Sequence, residues 1–177
     1  MRIELSDTLV LRSLRETDAR PLHALIEANR AHLTPWMPWA AAQTPAATEG
    51  FVRSAIRQER DRDGYQLVLV EGGELCGVVG FHRIDHENAS TSVGYWLAAD
   101  RQGRGLMTRA VAALVEHGFN ELGMYRIELR AAPANERSRA LAERLGFREE
   151  GLLRGAERFG SEFRDLILYA KLASDPR

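Results

Sequence analysis

The most informative stretch of this chain is Arg101-Gln102-Gly103-Arg104-Gly105-Leu106-Met107, which lies between a strand pattern and a helix pattern. Before it, residues 92–97 are rich in β-forming side chains and partly alternate, which predicts a strand. After it, apolar residues recur at steps of three and four from Met107 to Val115, which predicts one face of a helix. A glycine-rich turn that enters a helix leaves several N–H groups unpaired at the positive end of the helix dipole. The stretch therefore predicts a turn that binds pyrophosphate.

Two other nucleotide-binding motifs share glycines with this turn. A P-loop would end in Gly-Lys-Ser/Thr, but Leu106 and Met107 follow the second glycine. A dinucleotide fingerprint would carry a third glycine where this chain has Thr108. Both alternatives are therefore weak. A third interpretation, in which the two glycines serve only the packing of the helix, is not excluded by the motif itself. If the turn holds phosphates, Arg101 and Arg104 are expected to add positive charge at its rim.

A second segment repeats the order of strand and then helix. Residues 125–131 alternate as a strand, and Pro133 ends it. The residues that follow predict a helix with Asn135 as its N-cap and Gly146 as its C-cap.

The motifs of these two segments resemble those of the GNAT acetyltransferase superfamily. They are Gln102-Gly103-Arg104-Gly105, Asn135-x-x-Ser138 and Leu145-Gly146-Phe147, in this order. More closely, the chain resembles the RimJ/RimL-type branch, the N-terminal protein acetyltransferases and their relatives. That branch's early and closing motifs are present as Leu33-Thr34-Pro35-Trp36-Met37-Pro38-Trp39 and as Glu150-Gly151-Leu152-Leu153-Arg154, followed by Asp165 and Tyr169. The resemblance extends from about Leu9 to Lys171; Met107, where many superfamily members carry Gly or Ala, is ordinary in this branch.

The resemblance implies an α+β fold, in which helices flank a mixed, mostly antiparallel sheet with splayed central strands. The residue pattern agrees, because strands dominate the middle of the chain and helices interrupt at both ends. Helices are expected at about residues 17–32 and 44–63, after Met107 and from Asn135. Strands are expected at about residues 8–14, 66–71, 74–83, 92–97, 125–131, 148–158 and 162–171. Without a linker or repeat, residues 1–177 are expected to form a single domain.

The composition argues against several classes of protein. The formal net charge is −1, so no polyanion-binding face, and hence no nucleic-acid partner, is predicted. The single cysteine, Cys76, lies in an apolar run and has no partner for an internal disulfide, which suits a reducing compartment. No signal-peptide core and no apolar run of membrane-spanning length are present. A cytoplasmic protein without a membrane partner is expected.

The resemblance also implies an N-acetyltransferase that uses acetyl-CoA as co-substrate. An amine attacks the thioester, an oxyanion forms and the thiolate leaves, which requires a base, an oxyanion donor and a proton source. In a GNAT-like fold the pantetheine arm lies between the splayed strands that end near Leu97 and Ala131. The backbone at Trp96, Leu97 and Ala98 is expected to pair with the arm, and an N–H near Leu97 to bind the oxyanion. The turn is expected to hold the pyrophosphate through Gln102, Gly103, Arg104, Gly105, Leu106, Met107 and Thr108.

Two side chains are candidates for proton transfer. Ser138 lies three residues after Asn135, in the helix turn where the dipole favours a developing thiolate, and the resemblance makes it the proton source. Asn135 is expected both to cap the helix and to contact the arm, so it too binds the cofactor. Glu157 stands where RimL-like enzymes carry a glutamate and is the candidate base, with ordered water as the alternative. The residue pattern alone is equally consistent with roles outside catalysis. Ser138 can be an exposed helix residue, and Glu157 can be one of the many acidic side chains of the surface.

The acceptor site is expected at the proline-rich loop that carries Trp36, Met37 and Trp39, because amphipathic rings in such loops often line a ligand pocket. Loop aromatics can equally seal a core edge or a dimer contact. Trp96 is instead expected in the core near the cofactor. In RimJ/RimL-like proteins this loop borders the acceptor site, which favours the role in a pocket.

The acceptor that the resemblance implies is a protein or peptide N-terminal α-amine, with a ribosomal protein as a candidate. A small amine, an amino acid or an antibiotic is the alternative acceptor, and a non-catalytic acyl-CoA-binding regulatory module is the alternative outside enzymology. Intact Ser138 and Glu157 argue against the module. A homodimer is among the expected assemblies, by analogy with the branch. His82 and His86 have the spacing of a helical metal pair but fall at a strand end, so no metal site is expected.

Overall fold

Eight strands form one sheet in the order β1-β2-β3-β4-β5-β6-β8-β7 in the computed structural model, which describes residues 1–176. The strands are β1 (Arg2–Glu4), β2 (Leu9–Ser13), β3 (Tyr65–Glu71), β4 (Glu74–Phe81), β5 (Ser90–Leu97), β6 (Arg126–Ala131), β7 (Arg148–Phe159) and β8 (Glu162–Leu172). The helices are α1 (Ala19–Ala28), α2 (Arg30–Leu33), α3 (Pro45–Asp61), α4 (Leu106–Asn120) and α5 (Glu136–Arg144). Short 3-10 turns cover Glu16–Asp18, Ala40–Ala42 and Ala99–Arg101.

The central strands separate because one pairing in the sheet is short. Every neighbouring pair is antiparallel except β5 and β6, which run parallel. Their register extends only from Ser90 opposite Arg126 to Val93 opposite Leu129. Gly94–Leu97, the second half of β5, therefore has no partner in β6. The predicted fold, a mostly antiparallel mixed sheet with splayed central strands and flanking helices, is confirmed.

Helices cover both faces of the sheet. On one face, Leu106, Ala110 and Leu114 of α4 pack in a core with Val79 and Phe81 of β4. On the opposite face, side chains of α1 and α3 pack in a second core with Val68, Val78 and Trp96. Because successive strand residues point to opposite faces, β3 and β4 are buried on both and read as nearly continuous apolar runs. Among residues 1–176, no helix combines the length and the apolar character needed to cross a membrane.

The prediction of one continuous helix over residues 17–32 is wrong. The structure has a 3-10 turn at Glu16–Asp18, then α1 and α2, with a break at Asn29. The Asn29 side chain donates to the Leu25 carbonyl at 2.9 Å and accepts the N–H of Ala99 at 2.8 Å. Asn29 thus ties the helix to the segment before the glycine turn, a tertiary contact that helical periodicity does not reveal. The expected helix over residues 44–63 is present as α3, and Thr44 is its N-cap, since its side chain accepts the N–H of Ala47.

Candidate active site

A groove of about 1320 Å³ passes through the gap between β5 and β6. It reaches both faces of the sheet, because Leu106 and Leu141 line it from the side of α4 and α5, and Leu22 and Trp36 from the side of α1. The volume exceeds the roughly 300–1,000 Å³ of an ordinary small-ligand pocket. The groove can therefore hold two reactants that meet at the gap.

The glycine turn before α4 has the backbone geometry that phosphate binding requires. Gly103 and Gly105 have φ of 74° and 70°, in the left-handed region that favours glycine. The first bond of α4 runs from the N–H of Arg109 to the Gly105 carbonyl, so the amides of Leu106, Met107 and Thr108 precede the helical ladder. A Cβ built on either glycine would meet no atom within 4 Å. A ligand can therefore approach this backbone closely.

The cations at this turn differ from those expected. Arg101 and Arg104 both bind the Glu71 carboxylate, at 2.9 and 2.6 Å, and Arg101 also binds Glu74 at 2.7 Å. Partial burial disfavours the Glu71 anion, but these two hydrogen-bonded arginines outweigh it and hold the pKa of that carboxyl below its usual range. The guanidinium charges are thus neutralised outside the groove. The expectation of free charge at the rim is corrected for these two side chains.

Two arginines of α5 supply positive charge beside the glycine turn instead. Arg137 and Arg144 line the groove, and they reach back to the turn. Arg137 donates to Oε1 of Gln102, and Nη1 of Arg144 lies 3.4 Å from Oγ1 of Thr108. Sequence reasoning missed both residues. Their separation of seven positions puts them on the same helix face, which is the signal that could have identified them.

The unpaired half of β5 turns alternate backbone groups into the gap. The N–H of Ala98 donates to the Cys76 carbonyl at 2.9 Å, in register with the pairing of β4 and β5. In an antiparallel ladder, every second residue exchanges both hydrogen bonds with one neighbour. Trp96 and Ala98 therefore bond towards β4, while the N–H and C=O of Tyr95 and Leu97 point into the gap. Of the three residues expected to pair with a ligand there, the backbone of Leu97 alone faces it.

Asn135 and Ser138 lie together at the start of α5, as the spacing predicts. Oδ1 of Asn135 accepts the N–H of Ser138 at 3.2 Å and caps the helix. Oγ of Ser138 lies 2.8 Å from the hydroxyl of Tyr95, a residue that sequence reasoning did not select. Burial raises the pKa of Tyr95 to about 12, against the effect of its bond to Ser138. Tyr95 therefore stays protonated near neutral pH and connects α5 to β5 across 43 residues of sequence.

Glu157 lines the groove from β7, opposite Arg164 of β8. Its half-buried carboxylate makes no hydrogen bond or ion pair with another side chain among residues 1–176. Burial raises the pKa of Glu157, while the charge of Arg164 partly opposes this rise. Nη1 of Arg164 also donates to the Pro35 carbonyl at 2.9 Å, which joins β8 to the loop that carries Trp36.

Aromatic side chains line the part of the groove nearest α1 and α3. Trp36 and Trp39 are about one third exposed, and Met37 and Phe51 lie in the same wall. The ring of Trp39 packs against Trp96 with a centroid separation of 6.3 Å. The buried position predicted for Trp96 is confirmed. This wall is apolar and open, which suits the end of a chain rather than an ion.

Within the part of the chain that the structure describes, no group of three or more His, Cys, Asp or Glu residues could hold a metal ion. His86 lies away from the groove and shares a hydrogen bond with the Arg62 carbonyl. Cys76 is buried and its pKa is raised to about 11 by burial, so its thiol is not ionised near neutral pH.

A family model described as an acetyltransferase (GNAT) domain matches residues 8–148 of this chain. The chain belongs to the GNAT acetyltransferase family. It is therefore an acetyl-CoA-dependent N-acetyltransferase.

The names of similar proteins agree with this family. A putative ribosomal N-acetyltransferase, YdaF of Bacillus subtilis, is 34% identical over 96% of this chain and 93% of that protein. The ribosomal-protein-serine acetyltransferase of Escherichia coli is 29% identical over 96% of each chain. A solved structure of RimL, a ribosomal α-N-protein acetyltransferase in complex with coenzyme A, is 28% identical with a TM-score of 0.93. That match covers 99% of this chain and all of the RimL chain.

The turn before α4 can be tested with one substitution. We expect Gly105→Glu to abolish acetyl-CoA binding in calorimetry, because the new side chain fills the approach to the amides and places a negative charge beside the phosphates. Gly123→Glu is the matched control, since Gly123 has φ of 68° and equally open surroundings but lies outside the groove. Unchanged affinity in Gly105→Glu, or equal losses in both variants, would rule out this position for the pyrophosphate.

Proposed function

We propose that this enzyme acetylates the N-terminal α-amine of a protein, with a ribosomal protein as the acceptor, in a ternary complex with acetyl-CoA. The observation that carries the proposal is the groove, which runs from the glycine turn before α4, through the gap beside Leu97, to an open apolar wall. The names of the relatives support a ribosomal protein as the acceptor. Because β1 and β8 belong to the same sheet, we also propose that the whole chain is one catalytic domain.

The donor half of the proposal concerns coenzyme A. The amides of residues 102–108 bind the pyrophosphate, and Arg137 and Arg144 add the positive charge. The pantetheine arm lies in the gap and pairs with the backbone of Tyr95 and Leu97 as an added strand would. Asn135 borders the arm while it caps α5.

The transfer itself needs an oxyanion donor and a proton source. When the amine nitrogen bonds to the thioester carbon, the carbonyl oxygen becomes an oxyanion, and the N–H of Leu97 points to the gap in which it forms. As the carbon–sulfur bond breaks, the thiolate takes a proton from the hydroxyl of Ser138. Tyr95 donates to Ser138 in turn, so a proton can be replaced without exposing the thiolate to bulk water. The nitrogen releases its second proton to water as it becomes an amide, and this proton restores the one that the Ser138–Tyr95 pair has given up.

Glu157 is proposed as the base that accepts the proton of the acceptor ammonium. Its carboxylate lies unpaired in the groove, and burial raises its pKa towards that of an α-amine. A smaller gap between the two pKa values makes the proton transfer less unfavourable. An α-amine has a pKa of about 8, against about 10.4 for lysine, so the same base serves an N-terminus better.

Substitution of Ser138 separates chemistry from binding. We expect Ser138→Ala to lower kcat roughly 10- to 1000-fold, as the loss of a positioned acid does, with little change in acetyl-CoA affinity. Tyr95→Phe should lower kcat less, because Ser138 remains. Ser161→Ala, in the exposed turn between β7 and β8, is the control. A normal kcat in Ser138→Ala would exclude this proton source.

The pH dependence tests Glu157. The base form of Glu157 is lost as pH falls through its raised pKa, so wild-type kcat/KM should fall at a higher pH than an ordinary carboxyl would cause. Glu157→Gln should be slow at neutral pH and should recover in part at high pH, where the free amine needs no base. Glu162→Gln, on the exposed start of β8, should behave as wild type. Identical pH–rate profiles for wild type and Glu157→Gln would assign the proton to ordered water.

The acceptor is tested by selectivity. We expect faster acetylation of peptide N-termini than of lysine side chains in a thiol-release assay, because of the lower pKa of the α-amine. Trp36→Ala should raise the acceptor KM more than the acetyl-CoA KM, whereas Phe163→Ala, an exposed aromatic outside the groove, should change neither. Turnover of free small amines, with none of any N-terminal peptide, would move the enzyme to the small-molecule acetyltransferases.

A further inference from the structure

Two glycines face each other across β4 and β5 at the narrow end of the gap. Gly80 is in register with Gly94, and directly opposed residues of an antiparallel pair point to the same face of the sheet. Val78 and Trp96, two positions further along, lie on the face covered by α1 and α3. By strand alternation, Gly80 and Gly94 share that face. They leave a floor without side chains, which we call the glycine floor, immediately beyond Val93, the last β5 residue that pairs with β6.

Two polar side chains lie over this floor. A Cβ built on Gly80 would be 2.5 Å from Oε1 of Gln66, and one built on Gly94 would be 2.5 Å from Nε2 of His82. These two atoms thus occupy the space that side chains at the glycines would fill. Both Gln66 and His82 line the groove, on the same side as the aromatic wall that is proposed to receive the acceptor.

Each of these atoms is available as a hydrogen-bond acceptor. Gln66 donates its amide N–H to the Phe81 carbonyl at 3.0 Å, and this bond fixes the carboxamide with its oxygen towards the floor. The imidazole of His82 is open to the groove, and its nitrogens bond to no other residue among residues 1–176. In the tautomer protonated at Nδ1, Nε2 accepts a hydrogen bond.

The surroundings keep His82 neutral. Desolvation by the surrounding protein lowers the pKa of His82, and the positive charge of Arg130 on β6 lowers it further. Nε2 of His82 lies over Gly94 of β5, and Gln66 of β3, which lies over the neighbouring Gly80, carries no charge. The acidic residues Glu157 of β7 and Glu136 of α5 line the same groove, and they do not reverse the direction of the shift. Near pH 7 the imidazole is therefore neutral, with one nitrogen protonated and the other able to accept a hydrogen bond.

We propose that Gln66 and His82 together bind the acceptor amine over the glycine floor and select a primary amine. A neutral primary amine has two N–H groups and one lone pair. If one N–H is donated to Oε1 of Gln66 and the other to Nε2 of His82, the lone pair is left to face the thioester in the gap. A secondary amine has a single N–H and leaves one of these acceptors unpaired, which disfavours its binding. This role rests on the proposed amine acetylation, in which Glu157 remains the base.

The test compares four variants with two acceptors, a hexapeptide with N-terminal serine and the same peptide with N-methylserine. We expect His82→Phe, which keeps a ring over the floor, to raise the KM of the serine peptide about tenfold, the scale of one lost hydrogen bond, with the acetyl-CoA KM unchanged. His82→Gln should restore part of this loss. Gly94→Ala, whose methyl group displaces the imidazole, should reproduce it. His86→Phe is the control outside the groove.

Discrimination between the two peptides is the second readout. Wild type should strongly prefer the serine peptide, and His82→Phe should lose most of that preference.

A third readout uses the Cε1–H proton resonance of His82, identified by its absence in His82→Phe. The serine peptide, added with coenzyme A, should shift this resonance and leave that of His86 unchanged. A residue with only a structural role would show neither effect.

The outcomes separate the two proposals. If wild type acetylates no peptide, the peptide acceptor is wrong, and the same comparison is made with glycinamide and N-methylglycinamide. If His82→Phe and Gly94→Ala keep the wild-type acceptor KM and the preference for a primary amine, the amine-binding role of Gln66 and His82 is overturned. The same holds if acceptor and coenzyme A leave the His82 resonance in place.

Discussion

The short parallel pairing of β5 with β6 is the constraint on which the site depends. Hydrogen bonds between the two strands end at Val93, while β6 continues on β8 and β5 continues on β4. The backbone groups of Tyr95 and Leu97 are thus left facing a gap inside the sheet. Unpaired peptide groups in such a place are costly unless a ligand or water satisfies them. The same separation that weakens the sheet therefore leaves the place that we propose for the extended arm, with the N–H of Leu97 available to the oxyanion.

Charge is distributed along the groove in a way that the nearly neutral composition conceals. On the donor side, Glu71 neutralises two arginines and leaves Arg137 and Arg144 of α5 beside the turn. On the acceptor side, Trp36, Trp39, Met37 and Phe51 form an apolar wall beside the polar side chains of Gln66, His82 and Glu157. A doubly charged diphosphate group and an amine that reacts in its uncharged form need different surroundings, and the gap in the sheet keeps the two apart.

Burial acts on three titratable groups of the groove, and its effect depends on which form is charged. It raises the pKa of Tyr95 and of Glu157, because the charged form of each is the deprotonated one, and it lowers the pKa of His82, whose charged form is protonated. Near neutral pH the groove therefore offers a hydroxyl that keeps its proton and a neutral imidazole with one nitrogen free to accept a hydrogen bond. Groups of different protonation in one groove are what a transfer from ammonium to thiolate needs.

The glycine turn, the cap at Asn135 and the position of Ser138 beside that cap could be predicted from the sequence, because each depends on residues close together in the chain. The backbone angles of Gly103 and Gly105 and the cap of α5 are such local requirements. The fold class followed from the order of the motifs and their resemblance to a known family. Which side chains meet across different elements could not be predicted in this way. The contact of Tyr95 with Ser138, the arginines bound to Glu71 and the atoms over Gly80 and Gly94 all depend on strand register, which a one-residue shift would change.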